Sequence, residues 1–207
     1  MNPKELFPLL ALGAALSHSA PAISAEHATN KLCCCAKAEA AGQTSDKSLY
    51  QLESQWTTDA RQQIMLADLK GRPQVVVMFF ASCQYACPII VNDLKRIEAA
   101  LPAEMRSRVG FTLVTFDTRR DTPEVLAEFR ATRQLPAKTW TLLRGEPGDV
   151  LELAALLGVK YKQDARGLFA HSNVMTILNA QGEIVHRQIG LNQDIQETVH
   201  LLQKLIF

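Results

Sequence analysis

The sequence predicts an α/β layered domain, a mixed central sheet flanked by helices. Three observations predict it. Two apolar, β-branched runs, 74–80 and 109–116, have the pattern of strands buried on both faces. Segments of helical period alternate with strand candidates along the chain. Near the end, 173–178 and 183–189 flank Asn179-Ala180-Gln181-Gly182, a hairpin signal that adds an antiparallel pair.

The elements follow in order. Leu49-Tyr50-Gln51 and 55–59 read as short strands, an N-terminal extension of the sheet. Residues 66–73 end in a Gly71-Arg72-Pro73 turn. The buried strand 74–80 runs into a loop, Ala81 to Cys87, and Pro88 suits the first turn of a helix. Ile89, Ile90, Leu94, Ile97 and Leu101 keep helical spacing up to Pro102. After the second strand, Asp121 or Thr122 caps a helix that opens with Pro123 and Glu124. Residues 139–143 are a third strand, and 149–157 a helix stopped by Gly158. After the hairpin, 192–206 close the chain as an amphipathic helix with Ile195, Val199, Leu202 and Ile206 on one stripe. This order outlines a thioredoxin-like fold with an extra segment between its halves.

The chain has 207 residues, 47% of them hydrophobic, which builds one core and excludes a disordered chain. With 22 basic against 21 acidic side chains, no global field attracts nucleic acid or an anionic membrane. No apolar run approaches the roughly 18 residues of a membrane span. Residues 1–25 read as a cleaved export signal. Lys4 precedes the apolar stretch 6–16, and Ala20-Pro21-Ala22 and Ser24-Ala25 are both candidate cleavage sites. No L-x-x-C lipobox precedes Cys33, so no lipoprotein is expected. The expected compartment is the oxidising periplasm or another exported location, and the mature chain is expected without a membrane helix. Residues 26–47 are small and polar and read as a flexible tail carrying Cys33, Cys34 and Cys35; the folded domain spans 48–207.

Cys83 and Cys87 carry the chemistry. They follow a buried strand and precede a helix, the edge where α/β sheets place their sites. A helix N-terminus favours a thiolate. Four residues apart, the two sulfurs can close a disulfide or share one soft metal ion, whereas two buried core thiols are the plainer alternative. The spacing is C-x-x-x-C, one residue longer than the thioredoxin exchange motif. A peroxidase of the peroxiredoxin type is weaker still, since Val76 and Phe80 stand where its upstream Pro and Thr would be. Of five histidines, His18 leaves with the signal and His27 lies in the tail. His186 and His200 read as surface residues. His171 follows the loop Asp164-Ala165-Arg166-Gly167 and precedes an apolar strand; a ligand and a satisfied loop histidine are equally open readings.

Four segments together resemble the Sco/SenC family of thioredoxin-fold copper proteins that assemble the copper centre of cytochrome oxidase. They are 76–88 with C-x-x-x-C-P, Val114-Thr115-Phe116-Asp117 with Arg120-Asp121-Thr122-Pro123-Glu124-Val125-Leu126, Trp140 with Leu142-Leu143-Arg144-Gly145, and Phe169-Ala170-His171-Ser172. The resemblance covers about residues 48–207. It implies Cys83, Cys87 and His171 as ligands for Cu(I) or Cu(II). It places Asp117 near the site, to orient a ligand or dock a partner; capping the turn before Asp121 is its other reading. The surroundings depart from the family: Gln84-Tyr85-Ala86 stands for Pro-Asp-x, and Met175-Thr176-Ile177-Leu178-Asn179 for a Tyr-Leu-Ile-Asp run.

The implied function is a metallochaperone. Its partners would be a copper-accepting protein such as an oxidase subunit, and another copper chaperone or a thiol reductant. The competing reading is a thiol–disulfide oxidoreductase that keeps a target's copper-ligand cysteines reduced, with Cys83 and Cys87 as its redox pair. A copper or redox sensor is a third. Cys33, Cys34 and Cys35, with His27 nearby, are accessory candidates: they capture Cu(I) and pass it on, or are an incidental cluster.

Overall fold

The computed structural model describes residues 45–206 apart from Arg166 and Leu168. The export signal, His27 and Cys33, Cys34 and Cys35 lie outside the described residues. The strands are β1 (Gln55–Thr58), β2 (Gln63–Met65), β3 (Gln74–Phe79), β4 (Gly110–Thr115), β5 (Trp140–Arg144), β6 (Tyr161–Gln163), β7 (Phe169–His171), β8 (Val174–Leu178) and β9 (Ile184–Ile189). The helices are α1 (Ala86–Ala100), α2 (Ala103–Arg106), α3 (Pro123–Arg133), α4 (Pro147–Leu157) and α5 (Gln196–Ile206).

Seven strands form one sheet in the order β2-β1-β5-β4-β3-β8-β9. β3, β4 and β5 are parallel, and β1, β2, β8 and β9 add antiparallel edges. The mixed sheet flanked by helices is the expected architecture. The continuous apolar runs mark its centre: every residue of β3, β4 and β8 is buried. Trp56, Phe79, Phe111 and Trp140 are the largest fully enclosed side chains, and Phe111 stacks on Trp140 at 4.9 Å between ring centres. The Trp140 indole N–H donates to Glu98 of α1 at 2.9 Å, tying that helix across β5. α1 also packs against α5.

Four expectations change. Leu49–Gln51 is not a strand but one turn of 3-10 helix, because the Ser48 hydroxyl accepts from the Tyr50 N–H at 3.1 Å. Such a local bond competes with sheet pairing. β2 pairs with β1 where no strand was expected; its register sets exposed Gln63 and Met65 around Ile64, too short a pattern to signal a strand. The last helix starts at Gln196 rather than 192. Asn192 stands at φ 55, its N–H held by the buried carboxylate of Asp93 at 2.8 Å. Finally, β6 and β7 form a separate two-stranded ribbon on either side of the loop 164–167, where no strand was expected. Three residues each, with no apolar run, give no periodic signal.

Candidate metal centre

Cys83 and Cys87 are placed by the junction of β3 and α1. The strand ends at Phe79, the chain turns with Cys83 N–H donating to the Phe80 carbonyl at 3.2 Å, and α1 begins at Ala86. Tyr85, at the helix N-cap, makes no side-chain hydrogen bond to the first-turn N–H groups. The Cys83 sulfur takes that role, accepting from the Cys87 N–H at 3.4 Å. Burial pushes the Cys83 thiol up, but hydrogen bonds from the backbone of Cys87, Tyr85 and Ala86 and from the Cys87 side chain outweigh it, so its pKa falls below the ordinary value. Cys87 is fully enclosed, and burial, followed by the neighbouring sulfur and the Asp121 carboxyl, holds its thiol well above the ordinary range. Of the two thiols, Cys83 is therefore the more readily ionised and Cys87 the harder to deprotonate. Both cysteines are free.

Behind the loop stands Asp121, 1% exposed. Its carboxylate accepts from the Ala81 N–H at 2.9 Å and from the Thr115 hydroxyl at 2.5 Å, so it ties the front of the cysteine loop to the end of β4. Thr122 caps α3 instead, its hydroxyl accepting from Val125 N–H. Burial and the adjacent Asp117 charge push the Asp121 carboxyl up.

His171 arrives on β7. Its ring lies 5.1 Å from Phe116 and edge-on to Phe80 at 6.0 Å, in a wall completed by Phe169 and Tyr161. Burial holds the imidazole below its ordinary pKa, so it is neutral at pH 7. Nδ1 faces the Ser172 carbonyl at 3.2 Å. As donor there, it leaves the Nε2 lone pair for a metal, the orienting arrangement that metal-binding histidines use.

The three donor atoms of Cys83, Cys87 and His171 stand within 4.8 Å of one another. That is about the span one ion bridges with bonds of about 2.0–2.3 Å. Among the described residues they are the one group of three or more His, Cys, Asp or Glu side chains that close. Two sulfurs and a neutral nitrogen suit a soft or borderline ion, copper or zinc, and not magnesium or calcium.

The other candidates among the described residues are not part of this donor group. Asp117 caps its own turn, accepting from the Arg120 N–H at 3.3 Å and pairing with the Arg120 guanidinium. His186 lies on β9 beside Glu197 at 3.8 Å, and His200 is exposed on α5. Nothing local in the sequence signals that Asp121 and Thr115 tie the cysteine loop to β4 or that Arg120 reaches Gly167. Asp121 looks like a helix cap until the fold brings Ala81 against it.

Fold and site together define a thioredoxin-like domain with a two-cysteine, one-histidine donor set. The SCO1/SenC family model matches residues 42–206, and the chain belongs to that family. Solved structures share the fold at low identity. A SCO1/SenC family lipoprotein of Bacillus anthracis is 21% identical, with a TM-score of 0.69 over 77% of this chain and 96% of that one. Copper-bound ScoI of Bradyrhizobium japonicum is 18% identical, with a TM-score of 0.63 over 73% and 96%. BsSco, a member of the Sco family of cytochrome c oxidase assembly proteins with a disulfide switch, is 16% identical, with a TM-score of 0.63 over 73% and 90%. A candidate copper-binding protein of Stutzerimonas stutzeri is 36% identical over 61 residues; the match spans 30% of this chain and 30% of that protein's length.

Proposed function

We propose that this protein is a copper metallochaperone. It takes Cu(I) or Cu(II) as cargo on Cys83, Cys87 and His171 and delivers it to a copper centre such as that of cytochrome c oxidase. The carrying observation is the convergence of two sulfurs and one imidazole nitrogen within 4.8 Å. Two thiolates satisfy Cu(I), and the added nitrogen suits Cu(II). Uptake requires the Cys87 thiol to give up its proton, so loading is coupled to pH. Oxidation of the two metal-bound thiolates of Cys83 and Cys87 to a disulfide forms the S–S bond and passes two electrons to an external oxidant, such as a partner's disulfide, with no proton released. It removes both sulfur ligands and so releases the cargo.

Family membership, a copper-bound relative and a relative from the oxidase-assembly family support this reading. Its setting would be the periplasm, reached by cleavage of residues 1–25. Its partners would be the copper acceptor and a chaperone or thiol reductant that reloads or re-reduces the site. Cys33, Cys34, Cys35 and His27 would gather Cu(I) ahead of the folded site.

One observation favours the second reading, thiol–disulfide exchange. A lowered, slightly exposed Cys83 beside a protonated, buried Cys87 is an attacking and resolving pair. His171 separates the two. The test is copper titration of the full chain carrying C33S, C34S and C35S, with and without His171→Ala. One equivalent of Cu(II) with a sulfur charge-transfer band, lost in H171A, is the expected result. No binding, with fast exchange against a dithiol in both proteins, would replace the chaperone reading with the exchange enzyme.

A further inference from the structure

The site is built from two separately supported parts. Cys83 and Cys87 are fixed to β3 and α1, within the main sheet and its helices. His171 rides on the β6–β7 ribbon, whose two strands pair only with each other among the described strands. Something other than sheet hydrogen bonds must therefore hold the histidine over the sulfurs.

Part of the hold is aromatic. Phe169 packs on Phe80 at 5.3 Å and on Phe116 at 4.9 Å, and Tyr161 stacks on Phe116 at 5.0 Å. The charged part is Arg120. Its Nε pairs with the buried Asp117 carboxylate, and the Asp117 backbone N–H donates to the Thr115 hydroxyl at 3.0 Å. Its Nη2 reaches across to the Gly167 carbonyl at 2.7 Å, just ahead of β7. The guanidinium also lies 5.8 Å from the centre of the Phe169 ring. A planar fork can hold a carboxylate with one edge and a second acceptor with the other; an ammonium cannot.

We infer that Arg120 is a positioning residue for His171: a latch that holds the β6–β7 ribbon closed over Cys83 and Cys87 and so sets how tightly the site holds Cu(II) relative to Cu(I). The inference rests on the copper reading above. Arg120 acts only through the ribbon. Cu(I) keeps both sulfurs when the ribbon loosens, whereas Cu(II) needs the nitrogen. Opening the latch therefore weakens one oxidation state selectively.

The experiment uses the full chain carrying C33S, C34S and C35S, alone and with Arg120→Ala or Arg120→Lys. R120K keeps a positive partner for buried Asp117, so it reports on the latch if R120A fails to fold. Cu(II) and Cu(I) dissociation constants and the Cu(II) spectrum are measured, together with amide exchange of residues 160–173. The expected result is a Cu(II) affinity lower by about 10–100-fold, the range for losing a residue that orients a ligand, with Cu(I) affinity unchanged and the ribbon amides exchanging faster. Unchanged Cu(II) affinity in both Arg120 variants overturns the latch. Equal weakening of Cu(I) and Cu(II) also overturns it, because the effect is then a general loss of structure. A parent chain that binds neither ion refutes the copper reading itself; in that case unchanged ribbon exchange in R120K and R120A independently overturns the latch.

Discussion

Replacing Asp121 with alanine tests whether this buried carboxylate is what holds the cysteine loop in place. The substitution strands two enclosed donors, the Ala81 N–H and the Thr115 hydroxyl, which Asp121 holds at 2.9 Å and 2.5 Å. Each orphaned donor costs about 1–3 kcal/mol, so the gross loss is about 2–6 kcal/mol. Part is returned, because the raised Asp121 pKa shows that burial disfavours its charge. A net loss of about 2–4 kcal/mol lowers the urea midpoint by roughly 1–2 M at the usual slope for a small domain. Asp121→Asn keeps an acceptor oxygen for both donors and loses about 1 kcal/mol or less. The two variants also separate by pH. The folded state keeps the Asp121 proton to higher pH than the unfolded chain does. The wild type therefore loses stability relative to D121N as pH rises from 3.8 through the folded value. Equilibrium urea unfolding of all three proteins at several pH values is the assay. A D121A midpoint equal to wild type, or an identical pH profile in D121N and wild type, would refute the reasoning.

Three further predictions follow from the same geometry. In the chain carrying C33S, C34S and C35S, iodoacetamide modifies Cys83, with a rate midpoint below pH 9.0, while Cys87 stays unmodified in the native protein; mass spectrometry of a timed reaction checks both. Gly182→Ala forces a Cβ into left-handed backbone at φ +84 and to within 2.5 Å of the Tyr50 ring. By the cost of that backbone plus overpacking it loses about 2–5 kcal/mol in thermal or urea unfolding, and a loss under 1 kcal/mol sinks the account. His171, held below 6.5 by burial, is neutral in the folded state while the unfolded chain protonates first. Its share of stability is therefore full above pH 6.5 and falls as pH drops through the folded value, and H171A flattens that part of the wild-type stability profile.

The sequence determined the sheet centre and half of the site. Residues 74–80 and 109–116 can be satisfied only by burial on both faces, so their position in the fold is written in their composition. Cys83 and Cys87 are linked through local geometry: strand end, turn and helix start are all fixed by neighbours within a few residues, so their pairing is legible from spacing. Thr122-Pro123-Glu124 likewise marks the start of α3, and Asn179 to Gly182 mark the hairpin, because caps and turns are satisfied by side chains close in sequence.

Only the tertiary structure decided the rest. His171 lies 84 residues from Cys87; its own segment leaves a ligand and a loop histidine equally open, and only the resemblance to Sco/SenC proteins points to a ligand. It becomes a donor because Phe80 and Phe116, from two different strand ends, seat its ring beside the sulfurs. Asp121 and Arg120 are adjacent in sequence yet turn to opposite tasks, one inward to Ala81 and Thr115, the other across to Gly167. Ala81 lies 40 residues before Asp121, and Gly167 lies 47 residues after Arg120. Local periodicity carries no record of such contacts. They exist because the packed sheet brings the ends of β3 and β4 and the β6–β7 ribbon to one edge, where a buried polar group must find whatever partner the fold supplies.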